Sequence, residues 1–198
     1  GLLIWDRRTE TAQILKHTDL IPLHSAMSLL DLPDRRLLVG STIAAGTGGE
    51  VKAKLAEMYI LNLDTKQIEW RAPVIEGATG YTDLCHGPNG LVFGIANGSI
   101  LFVFDPAKRE LLYQKNFAAD LGGASGGQGP RVFVRDPEGH IYLLLSRGIA
   151  LLDQETFELT MLAESPVPIA VGGDWLDGRI YFVSGSRVYS WQVKLPEQ

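Results

Sequence analysis

The chain has one cysteine, Cys85, so an internal disulfide and a disulfide-stapled scaffold are both excluded. Cys85 stands in an apolar run, where a buried, inert thiol is expected. No apolar run approaches the ~20 residues a spanning helix needs, so no membrane span is expected. Positive charge is not in excess either. The net charge is −5, which gives no general pull toward phosphate backbones, and nucleic acid is not expected as a partner. No window sustains the i, i+3, i+4, i+7 spacing of an amphipathic helix. The four histidines, His17, His24, His86 and His140, map to different places, so no metal site is expected and no cofactor is called for. A Gly-x-Ser-x-Gly elbow is also missing. No leader is visible before the first strand-like residues, so the compartment stays open, with a lean toward a soluble, extracytoplasmic protein.

What is present is a repeat. "YILNLDTKQIEWR", "LFVFDPAKRELLYQ" and "IALLDQETFELTM" each read strand, tight turn, strand. Their turn aspartates are Asp64, Asp105 and Asp153. Asp6 opens an earlier turn of the kind, and Gln192 stands where a fifth would fall. The intervals are roughly 40 to 60 residues, the range of repeat architectures. A second set of turns interleaves: "LPDRR", "GPNG", "DPEG" and "WLDG". Together they define a unit of four strands, a to d. Strand b is apolar throughout, as when both faces are covered. Strand d alternates and carries charge, as an outer edge should.

One such unit, apolar on both faces, cannot bury itself, and radial stacking of units solves that problem. "LNLDTKQIEW" and "FVFDPAKRELLY" resemble the strand–turn–strand repeats of the β-propeller superfamily, including its quinoprotein-like, NHL-like and gluconolactonase-like members. The resemblance covers nearly the whole chain and implies a fold rather than an activity. The expected fold class is all-β: a propeller of four-stranded antiparallel blades, three complete and two partial. The single domain 1–198 then holds blades at 1–19 (partial), 25–75, 79–118, 130–163 and 168–195 (partial).

An arc of this kind leaves two blade faces bare. Each exposes on the order of 500 Å² of apolar surface, worth roughly 12 kcal/mol at ~25 cal/mol/Å². That exceeds the net stability of many domains. The expectation is therefore a larger ring of six to eight blades, completed by missing blades of the same polypeptide. A second copy, or closure of the chain on itself, are the alternatives.

Strand order puts the a–b and c–d turns at one end of each unit and the b–c and d–a loops at the other. The first end carries short Asp/Pro/Gly turns with a structural reason to exist. The second carries two glycine-rich excursions, "STIAAGTGGEVKAK" and "AADLGGASGGQGPR". Neither matches a phosphate loop. His24, Glu76, Tyr81, Asp83, Gln128 and Arg131 map to the same end and are the candidate ligand-binding residues. Such groups around a shallow funnel suit a polyhydroxylated small molecule or a polysaccharide. The favoured function is a non-catalytic module that binds a ligand or partner there. The alternative is a polysaccharide lyase or lactone hydrolase, with Tyr81 or His24 as base and Arg131 neutralising a uronate carboxylate.

Overall fold

The computed structural model describes residues 1–46, 48–125, 129 and 131–195. The chain divides into two compact units, Gly1–Tyr81 and Thr82–Gln198. The first opens with a two-stranded sheet, β1 (Leu2–Asp6) and β2 (Thr11–Leu15). A four-stranded antiparallel sheet follows in chain order: β3 (Ser25–Leu32), β4 (Arg36–Thr42), β5 (Met58–Asn62) and β6 (Ile68–Ala72).

The second unit repeats this pattern. One sheet is β7 (Tyr81–His86, starting on the last residue of the first unit), β8 (Val92–Ala96), β9 (Ile100–Asp105) and β10 (Glu110–Asn116). The next is β11 (Phe133–Arg135), β12 (Ile141–Leu145), β13 (Gly148–Leu152) and β14 (Leu159–Glu164). The last is three-stranded: β15 (Val171–Leu176), β16 (Arg179–Ser184) and β17 (Arg187–Gln192). A single helical turn, α1 (Ala118–Leu121), lies between β10 and β11. The strands fall where the repeat puts them: three complete sheets, a leading hairpin and a trailing trio.

Burial within each sheet follows strand position. The second strands β8 and β12 are buried at every residue, whereas the fourth strand β10 is exposed at all but Tyr113. Sequence and burial therefore agree on which strand faces water. Between the β7–β10 and β11–β14 sheets, Phe93, Val103, Leu143 and Leu152 form one core. Tyr142, Leu144, Ile180 and Phe182 form the next. In the first unit, Leu2 and Leu15 of the hairpin pack with Val39, Tyr59 and Leu61. Close packing dictates a glycine at position 94. A Cβ there would fall 2.0 Å from the ring of its cross-strand partner Phe102, which lies flat over it.

The c–d turns share one construction. Asp105 Oδ1 accepts the N–H groups of Ala107 and Lys108, and Asp153 Oδ1 those of Glu155 and Thr156. Asp6 does the same with Arg8 and Thr9. In the β5–β6 turn the role falls to Asn62, which accepts from Asp64 and Thr65. The repeat marker there is Asn62 rather than Asp64, whose carboxylate instead pairs with Arg35 at 2.5 Å. An asparagine carbonyl accepts as a carboxylate does, so the geometry survives the exchange.

Candidate functional site

In the first unit, His24 stands just before β3 and is half-buried. Its Nδ1 lies 3.0 Å from Ser41 Oγ, at the end of β4. Ser41 Oγ also accepts the N–H of Glu57 at 2.9 Å, while the Ser41 N–H donates to the Glu57 carbonyl at 3.0 Å. Ser41 Oγ thus accepts one N–H and keeps a hydrogen and a lone pair beside His24 Nδ1. Ser41 Oγ can give that hydrogen to Nδ1 or accept from Nδ1–H with its second lone pair, and the tautomer of His24 sets which. Burial pushes the His24 pKa below its ordinary value; the Glu57 carboxylate opposes this and Arg71 reinforces it. Arg71 Nε sits 3.6 Å from that carboxylate.

The same residues close the base of the glycine-rich b–c loop. Ser41 and Glu57 bracket it, Ile43 N–H donates to Thr79, and Ala56 N–H donates to Ala78. Tyr81 is wholly buried, and its phenol oxygen accepts the Ile75 N–H at 3.0 Å. Burial raises its pKa despite that bond. Its carbonyl accepts from the buried Ser28 hydroxyl at 2.8 Å. Glu76 is exposed in the connection between β6 and β7.

In the second unit, Asp83 is buried on β7. Its Oδ2 accepts the N–H groups of Val132 and Phe133 at 2.8 and 2.9 Å, and its Oδ1 that of Leu84 at 2.9 Å. Burial raises its pKa; the three backbone donors offset this only in part. Arg131 is exposed, with its aliphatic stem laid across Gly172. The d–a loop is pinned through Gly123, whose carbonyl accepts from Ser146, and Ala124, whose N–H donates to Gly98. Gln128 lies outside the described residues.

At the opposite, turn-bearing end, Asp136 Oδ2 accepts from Tyr142 OH and pairs with His140 Nδ1, both at 2.8 Å. Burial opposes ionisation of Asp136, but these bonds outweigh it and hold the carboxyl below its usual range. Burial likewise pushes the Cys85 thiol up, which leaves it a poor nucleophile. Among the described residues, no three His, Cys, Asp or Glu side chains gather to hold a metal ion. Among the same residues, no helix is long and apolar enough to cross a membrane.

Within the first unit the candidates divide. His24 belongs to a polar cluster with Ser41, Glu57 and Arg71, whereas Tyr81 is embedded in the core. Sequence reasoning missed Ser41, Glu57 and Arg71 as a group. The available signal was their position: Ser41 and Glu57 flank the inserted loop, where an extension of the β4–β5 ladder brings its two ends together.

No family model matches this chain, and no curated protein matches it in sequence. Solved structures do match. The β-propeller domain of Cps50 (Swd1) from Myceliophteria thermophila superposes with a TM-score of 0.61 at 14% identity, over 87% of this chain and 52% of that one. The fold is a β-propeller. The extracellular domain of BT4673, a candidate one-component system of B. thetaiotaomicron, gives 0.67 at 11% identity, over 96% of this chain and 26% of that one. The computationally designed protein Ika4 gives 0.54 at 12% identity, over 86% and 92%. This propeller sequence thus spans about half the length of the first of these structures and about a quarter of the second. At such identities the likeness concerns the fold alone.

Proposed function

We propose that this propeller is a non-catalytic module that binds a ligand or partner where its b–c and d–a loops emerge. The class that suits the side chains offered there is a polyhydroxylated molecule, a carbohydrate above all. One observation carries the non-catalytic reading: Tyr81, one of the two candidate bases, is spent on the backbone, as is the carboxylate of Asp83. The Tyr81 phenol is capped by Ile75, and the Asp83 carboxylate by Leu84, Val132 and Phe133. A base must reach its substrate, and neither group is exposed. His24, Glu76 and Arg131 remain to hydrogen-bond hydroxyls or pair with a carboxylate.

The lactone hydrolase alternative draws on the 3.0 Å contact between His24 and Ser41. Ser41 is wholly buried, which weighs against it as a nucleophile. In this reading the bare apolar face of the leading hairpin is also covered in the working protein, by further blades or by a second copy.

Titration calorimetry against neutral and acidic oligosaccharides, run beside lyase and lactonase assays, tests the proposal. Saturable binding without product is expected, weakened roughly tenfold in Arg131→Ala, a change of ~1.4 kcal/mol. Catalytic turnover would favour the enzyme; absence of binding across the panel would remove carbohydrate as the ligand.

A further inference from the structure

The turn of the leading hairpin carries two side chains that the turn itself does not use. Asp6 closes it by accepting the N–H groups of Arg8 and Thr9. Nothing in that construction calls for two arginines after the aspartate. The matching turn between β13 and β14 has Gln154 and Glu155 in their place. In the β9–β10 turn the basic residue folds back, with Lys108 Nζ 3.3 Å from Asp105 Oδ2. Arg7 and Arg8 do not fold back. Both are exposed, and neither guanidinium has a hydrogen bond or ion pair among the described residues.

Beside them lies a groove of about 590 Å³ in the first unit. Ile4, Asp6, Thr11 and Gln13 form one wall of it. Ile4 pairs with Gln13 and Asp6 with Thr11 across the hairpin, so the four share a face. It is the face that packs on β4 and β5 through Leu2, Ile4 and Leu15. The other wall is Arg35, from the β3–β4 turn, and Lys66, from the β5–β6 turn. The groove therefore opens between the hairpin and its own neighbouring sheet, on the side away from the exposed Leu3 and Ile14.

Four basic side chains and one carboxylate line this place. Arg35 is answered by Asp64 at 2.5 Å. Lys66 Nζ donates to the Leu63 carbonyl, a neutral partner. The charges of Arg7, Arg8 and Lys66 thus outweigh that of Asp6, in a chain whose net charge is −5. A concave site with an excess of one sign concentrates ions of the other. Its volume falls in the range of small-molecule sites, roughly 300–1,000 Å³. Guanidinium groups present planar forks of donors. Several around one anion suit a phosphate, with three acceptor oxygens and up to two charges, better than a carboxylate. Gln13 and the Thr11 hydroxyl add hydrogen-bonding groups along β2, beside the apolar side chain of Ile4.

We propose that this groove is a second binding site, for the phosphate monoester of a small hydroxylated molecule. Arg7 and Arg8 hold the phosphate, Arg35 and Lys66 face it from the opposite wall, and Gln13 and Thr11 meet the hydroxyls. The site lies where the turns are, not where the long loops emerge, so it stands apart from the ligand proposed above.

Titration calorimetry of the 198-residue chain with glucose-6-phosphate, inorganic phosphate and glucose tests this. The salt should be near physiological strength, where loosely held surface ions are screened. Glucose-6-phosphate should saturate the protein and bind roughly tenfold tighter than inorganic phosphate or glucose. Arg7→Ala combined with Arg8→Ala should weaken it roughly tenfold or more, with unchanged circular dichroism, because neither side chain supports the turn. The double lysine variant, which keeps the charges and loses the forks, should fall between. Arg131→Ala should leave this binding as it was. Four results would overturn the proposal: no saturation by either phosphate, inorganic phosphate as tight as the ester, glucose as tight as its phosphate, or undiminished binding in the double alanine variant.

Discussion

Asp83 on β7 accepts the main-chain N–H of Val132, 49 residues along the chain, with the same oxygen that accepts Phe133. One buried carboxylate thereby ties the first strand of a sheet to the lead-in of the next sheet's first strand. An outward-facing ligand group does not do this. Asp83→Ala leaves three N–H groups without acceptors, and each buried one costs about 1–3 kcal/mol. Removing the carboxylate also removes its own burial cost, so the net loss should be about 2–4 kcal/mol. Asp83→Asn keeps one acceptor oxygen and should fall between. Urea unfolding measures both; a midpoint unchanged in Asp83→Ala would mean the tie contributes nothing.

His24 should give the fold a pH dependence. Burial holds its folded pKa below the ordinary 6.5. Below about pH 6.5 the unfolded chain then takes up a proton that the folded chain refuses. Stability should fall as pH drops through that value and level off below the folded pKa. His24→Gln, whose amide can still hydrogen-bond Ser41 in either direction, should lack this segment of the profile. Thermal melts of the two proteins between pH 5 and 8 give the comparison; superimposable profiles would refute it.

The strands were legible because each sheet writes its burial into composition. "LVFGIA" and "IYLLL" are apolar at every position, and β8 and β12 are buried at every position. The turn chemistry was legible in kind but not in phase at Asn62, because Asp64 two residues later fits the same pattern. The candidate site was less legible. Tyr81 and Asp83 are polar residues at strand starts, and sequence alone does not separate a side chain facing a ligand from one folded back onto amides. Ile75 and Val132, the partners that decide the matter, carry no sign of their role. Ser41 and Glu57 meet only because the loop between them is closed at its base, a long-range fact with no local signal.

If Arg131 contacts the ligand, its position should depend on Gly172. A Cβ at that glycine would fall 2.0 Å from the Arg131 Cβ, with the rest of the stem close behind. Gly172→Ala therefore displaces the arginine without removing its charge. Ligand affinity should drop roughly tenfold, comparable to Arg131→Ala, and the two changes together should cost little more than either alone. Additive losses in the double variant would show that the glycine acts elsewhere.

The c–d turns set two substitutions of the same kind against each other. Their last residues, among them Arg109 and Phe157, hold φ at +63°. A left-handed conformation costs a non-glycine residue roughly 1–2 kcal/mol. Arg109 is exposed, so Arg109→Gly removes this strain, and the added freedom of the unfolded chain offsets part of the gain. A stabilisation of up to about 1 kcal/mol is expected. Phe157 carries the same strain but wedges its ring 5.9 Å from Phe93 and 5.4 Å from Tyr113. Phe157→Gly relieves the backbone and deletes that packing, which for a half-buried aromatic outweighs the relief, and a net loss of about 1–3 kcal/mol follows. Urea midpoints should therefore move in opposite directions. If both rise, the ring contributes less than the turn it strains; if both fall, the left-handed geometry is not strained in this turn.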